Sequence, residues 1–134
     1  MAIEQTSVGL RITVSLPYEE AVEKTVAALK TEGFGVLTSI DVKQTMKEKL
    51  GEEYRPYVIL GACNPPLAHR ALNVTPEVGL MLPCNVVVYE EEGGCVVSAM
   101  DPTAAMHMVS HPELEAVAKE VRAKLERVLQ QVAG

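Results

Sequence analysis

The sequence predicts an α+β two-layer sandwich, a mainly antiparallel sheet of about five strands with two long helices on one face. Three observations predict it. Residues 17–32 and 112–131 repeat apolar side chains at helical spacing, with charged ones between them. About five shorter runs are β-branched, or alternate apolar with polar residues. Two of those runs, joined by the short turn Glu90 to Gly94, read as a hairpin. A chain of 134 residues is one domain in size, so residues 1–134 are expected to fold as a single unit.

The elements follow in order. Val8, Leu10, Ile12 and Val14 alternate with Gly9, Arg11 and Thr13, the pattern of a strand with one buried face. Pro17 opens the first helix, with Glu19 and Glu20 near the positive end of its dipole and Gly33 as its left-handed stop. Val36 to Ile40 is a short strand. Asp41 caps a short helix in which Val42, Met46 and Leu50 lie four residues apart, and Gly51 ends it. Tyr57 to Ala62 is almost wholly apolar and reads as a central strand. Asn64-Pro65 and Thr75-Pro76 each place a capping side chain before a proline suited to a first helical turn. Val86 to Tyr89 and Cys95 to Met100 are the hairpin strands. Asp101-Pro102 opens a short helical segment. Ser110 with Glu113 three residues on reads as a capping box for the last helix.

Composition narrows the function. Hydrophobic residues make up 48 % of the chain and charged residues 22 %, as in ordinary globular proteins. One Phe, four Tyr and no Trp leave an aliphatic core. A net charge of −6 argues against nucleic acid, which needs a basic surface. No apolar run approaches a membrane span, and the start of the chain has no signal-like core, so a cytoplasmic location without membrane contact is expected. Val, Ile and Leu occupy both alternations of the strands. The sheet face opposite the helices is therefore expected to be covered, by a second copy in a homodimer.

The segment richest in chemistry is Leu60-Gly-Ala-Cys-Asn-Pro-Pro-Leu-Ala-His69. Small residues end a strand, Cys63 precedes a capped helix, and the helix dipole favours a thiolate there. Leu82-Pro-Cys84-Asn85 repeats the Cys-Asn pair. If these two strands are antiparallel neighbours, both thiols lie at one end of the sheet. Cys63, Asn64, Cys84 and Asn85 are then candidate ligand-binding residues. Cys63, Cys84 and His69 are candidate ligands of a soft metal, and the thiols a candidate redox pair. The competing reading is that unpaired cysteines pack as small hydrophobes, as Cys95 beside Val96 is expected to do. The Met-His-Met run around His107 fits copper ligation, and fits a solvated loop as well. No Gly-rich phosphate loop or nucleophile elbow is present, and no catalytic residue is identified.

The same segments resemble a prokaryotic family called domain of unknown function 302. The resemblance rests on Gly33-Phe34-Gly35-Val36, on Leu60-Gly61-Ala62-Cys63-Asn64-Pro65, on Leu82-Pro83-Cys84-Asn85 and on Asp101-Pro102. It implies a fold like that of the TATA-binding protein, of β-α-β4-α type, with no DNA binding implied by fold alone. It implies no activity or cofactor. Two readings of function stay open. One is a small-ligand, metal or thiol-redox binding domain centred on Cys63 and Cys84. The other is a non-catalytic homo-oligomeric or protein-interaction module that works through its open sheet face.

Overall fold

The computed structural model describes residues 3–105 and 111–134. Ser110 and the Met-His-Met run lie outside the described residues. Among the described residues the sheet has six strands, one more than expected, and every pairing in it is antiparallel. In chain order they are β1 (Glu4–Gln5), β2 (Gly9–Val14), β3 (Gly35–Asp41), β4 (Tyr57–Cys63), β5 (Cys84–Glu91) and β6 (Gly94–Met100). Across the sheet they run β1-β2-β6-β5-β4-β3. The extra strand is the two-residue β1, too short to carry a periodic signal. The helices are α1 (Tyr18–Thr31), α2 (Val42–Leu50), α3 (Pro65–Val74), α4 (Pro102–Ala105) and α5 (Pro112–Ala133), with a 3-10 turn over Pro76–Met81.

Local signals set the helix ends. Gly33 takes φ +83°, and its N–H donates to the Lys30 carbonyl while Phe34 N–H reaches back to Leu29. This closes α1 in a Schellman motif with two buried apolar side chains at its ends. Asp41 accepts from Gln44 N–H at 2.9 Å, and Gly51 at φ +67° stops α2. Helix α5 is capped by His111: Pro112 takes the first helical position, so the residue before it becomes the cap. His111 Nδ1 accepts from Glu113 N–H at 3.2 Å.

Alternation along the strands splits the sheet into two faces. Leu10, Ile12, Val14, Val58, Leu60, Val86, Val88, Val97 and Ala99 pack with Leu29 of α1 and with Leu114, Leu125, Val128, Leu129 and Val132 of α5. The two long helices also pack on each other. This is the predicted sandwich, with an aliphatic core between its layers. At 22 residues α5 is the longest helix described. No helix among the described residues is long and apolar enough to cross a membrane.

Candidate functional site

The register Ala62↔Cys84 makes β4 and β5 antiparallel neighbours and brings both cysteine segments to one end of the sheet. Cys63 is the last residue of β4 and Cys84 the first of β5. Cys84 follows the helix-facing alternation and is 8 % exposed, while Cys63 is half-buried. All three cysteines are free thiols. Burial, with a smaller contribution from Cys63, pushes the Cys84 thiol up to about 11. Cys84 is therefore protonated at neutral pH, the reverse of an activated thiolate. Burial also raises the Cys95 thiol, which donates to the Leu16 carbonyl at 3.3 Å and packs in the core.

The other predicted residues separate. Asn64 caps α3: its Oδ1 accepts from Leu67 N–H at 3.4 Å, and its Nδ2 donates to the Glu32 carbonyl at 3.2 Å. Both ends of its amide are engaged in joining α3 to the end of α1. Asn85 follows Cys84 by one residue, so the period of two turns it to the opposite face, where it is exposed. His69 is exposed on α3, 3.4 Å from Asn73. Leu67 and Ala71 are the inward residues of α3, and a residue two positions from each lies on the far side of the helix. His69 therefore does not join the thiols. Among the described residues no group of three His, Cys, Asp or Glu is placed to hold a metal ion.

What the cysteine end does contain is a cavity of about 40 Å³ between the sheet, α3, the 3-10 turn and α5. Leu67, Ala71, Val117 and Val121 line it together with Cys63 and Cys84. Met81 and Met100 also line it, and sequence reasoning missed both. Their one local signal is position: Met81 ends the turn before Leu82-Pro83, which has a cis peptide bond, and Met100 ends β6 before Asp101-Pro102. The absent side chain of Gly61 makes room for the Thr38 hydroxyl and the Pro83 ring, so the chain itself fills that gap. Asp101 is buried beside the cavity. It accepts from Thr103 N–H at 2.9 Å and from the Thr103 hydroxyl at 2.6 Å, and pairs with Arg122 at 3.0 Å. It is the helix cap that its position before Pro102 predicts.

The sheet face away from α1 and α5 is the second candidate. Cross-strand registers align its side chains in rows. One row runs Thr13, Val96, Tyr89, Tyr57, and the next runs Arg11, Ser98, Val87, Ile59, Ile40. Tyr57 and Tyr89 stack with ring centroids 5.1 Å apart and planes 6° from parallel. Burial raises the Tyr57 hydroxyl, with Tyr89 and Tyr54 adding to it. At the edge of the sheet, Ile40 is 47 % and Leu37 67 % exposed. Leu37 occupies a β-bulge, a device that blunts an open strand edge. Beside the rows lies an open concavity of about 480 Å³ whose lining includes Arg11, Tyr57, Asn85, Val87, Tyr89 and Ser98.

Comparison with known proteins finds a family and solved structures of similar fold. The family described as "Domain of unknown function DUF302" matches residues 10–132. A crystal structure of an uncharacterised conserved DUF302 protein from Bacillus stearothermophilus is 37 % identical, with a TM-score of 0.84. The match covers 90 % of this chain and 94 % of that one. No curated protein matches the chain significantly. The chain belongs to the DUF302 family.

Proposed function

We propose that the chain works as a homo-oligomeric module whose working surface is the sheet face away from α1 and α5, covered by a second copy of itself. The observation that carries this reading is the chemistry of the outward positions. An antiparallel sheet that faces water on one side alternates apolar with polar residues. Here the outward positions of β3 to β6 include Ile40, Tyr57, Ile59, Val87 and Tyr89, while Val96 is already buried within the single chain. Neither long helix packs on that side.

The size of the face fits such a partner. Five strands about 4.8 Å apart and six or seven residues at about 3.4 Å give a footprint of roughly 20 by 20 Å. Two such faces, with their side-chain relief, approach the roughly 1,000 Å² that a specific interface buries. A two-fold contact sets the same patch against itself, so the aromatic and aliphatic rows meet rows of like chemistry. The charged outward positions include Glu4, Arg11 and Glu91 at the margins of those rows, and they are paired within the chain, Arg11 with Glu4 at 3.3 Å and Glu91 with Arg55 at 3.5 Å.

Light scattering over a concentration series tests the reading. The expected mass is twice 14.5 kDa, falling toward 14.5 kDa on dilution. A mass of 14.5 kDa at every concentration would sink the proposal. The rival reading, a binding domain at the cysteine end, is favoured by one observation, the cavity that Cys63 and Cys84 line.

A further inference from the structure

The cavity at the cysteine end is built to stay dry. Apart from Asn64 and two thiols, the side chains that line it are apolar, and the Asn64 amide is engaged at both ends. A buried water needs several polar partners, and an aliphatic cavity without them stays empty of water. Alanines from three elements keep the space open: Ala62 of β4, Ala68 and Ala71 of α3, and Ala118 of α5. Met81 and Met100 add flexible thioether chains, which adapt to what they meet.

A second observation lies outside the cavity. Ala68, Met81 and Leu82 line it and are half-buried, so the space reaches the surface there. Leu72 follows Ala68 by one turn on the same side of α3, and Leu80 precedes Met81 in the 3-10 turn. Both leucines are exposed, Leu72 at 40 % and Leu80 at 84 %, the highest value for a large apolar side chain among the described residues. A Cβ placed on Gly79 would stand 3.9 Å from Leu72 Cδ2, so the turn carries Leu80 alongside Leu72. An apolar surface track thus runs up to an apolar cavity.

Dimensions and charge select the occupant. An aliphatic cavity of roughly 150 Å³ admits a benzene ring. At about 40 Å³ this one is too small for a ring and has room for the end of a chain. No Asp, Glu, His, Lys or Arg lines it, so a charged end would be buried without a partner. We propose that the cavity is the inner end of a binding site for an unbranched alkyl chain. The terminal methyl enters past Ala68 and Met81, and the following carbons lie over Leu72 and Leu80. The polar end of the ligand stays in solvent. The site lies on the α5 side of the sheet, so it stands or falls independently of assembly through the opposite face.

The test is a methyl-region NMR titration of the whole chain with 1-butanol, 1-hexanol and 1-octanol, with cyclohexanol as the ring of equal carbon number to hexanol. The expected result is saturable shifts at Ala68, Ala71, Leu72, Leu80 and Met81, with affinity rising about fourfold per added CH₂ and no saturable binding of cyclohexanol. Ala68→Leu, which narrows the entry with a good helix former, should weaken hexanol binding by at least about tenfold. Leu72→Ala and Leu80→Ala should each weaken it by about fivefold. These two sit on the surface and keep the fold, so they decide the matter if Ala68→Leu does not fold. Leu37→Ala, at an exposed leucine on the edge strand, should leave binding unchanged. Shifts that never saturate, or that appear equally at Leu37 and Leu50, would show general adsorption to apolar surface and overturn the proposal. Equal binding of cyclohexanol would overturn it too, and so would full affinity in both Leu72→Ala and Leu80→Ala.

Discussion

The two sides of β4 and β5 leave apolar surface unsatisfied in opposite ways. On the side away from α1 and α5, Tyr57, Ile59, Val87 and Tyr89 stand outward and are half-buried. At the cysteine end, α3, the 3-10 turn and α5 cover the sheet but leave a void of about 40 Å³ between them. The first region has side chains with an incomplete cover, and the second has a cover without enough side chain. A period-two alternation decides which residue meets which condition. It sends Cys84 inward and Asn85 outward, although the sequence presents them as one motif. The contrast teaches that adjacent residues of a strand motif belong to different surfaces, and so to different functions.

Substitutions can sharpen that contrast. The largest expected effect is at the cavity wall. Leu67→Ala enlarges a void that already exists, and should cost about 2–5 kcal/mol in denaturant unfolding. Leu80→Ala, at a residue 84 % exposed, should stay within about 0.5 kcal/mol. Equal losses at the two positions would show that the cavity wall is not part of the packed core. Thiol labelling is the next largest. Cys63 should react in the native protein, and Cys84 and Cys95 only after unfolding, as read by mass mapping of the modified peptides. Rapid native labelling of Cys84 would contradict its burial.

The smallest effect is on pH dependence. Burial, followed by the charges of Asp41 and Cys95, raises the Tyr18 hydroxyl from 10.0 to about 12. A raised folded value means that the folded state holds its proton more tightly than the unfolded chain does. The contribution is therefore complete below about pH 10 and is lost as pH rises toward 12. Tyr18→Phe should flatten that alkaline decline slightly in thermal melts. An unchanged decline would assign it to other groups.

Local signals made most of the fold legible in the sequence. Caps, stops and period need only neighbours along the chain, so Asp41, Asn64, Gly33 and Gly51 read correctly. Contacts across long separations did not announce themselves. Asn64 reaching Glu32, Arg122 reaching Asp101 and the lining of one cavity by both Met81 and Met100 depend on how distant elements pack. The place of His69 was available in principle, since Leu67 and Ala71 fix the inward side of α3 and leave His69 outward. The end of the sheet where the thiols gather was legible from Cys63 and Cys84 alone. The place of Met81 and Met100 in the cavity lining was not, because methionine in a sequence reads as core filling.

Assembly through the sheet face away from α1 and α5 is tested most directly by sedimentation equilibrium of the wild type beside Val87→Lys and Thr13→Lys. Val87 stands in the middle of the outward rows, and Thr13 is exposed at the end of one of them. The account predicts a wild-type dimer that Thr13→Lys retains. Val87→Lys should weaken it on the order of 100-fold, while its monomer keeps the native far-UV spectrum. A wild type that is monomeric throughout, or a dimer that Val87→Lys leaves intact, would contradict it.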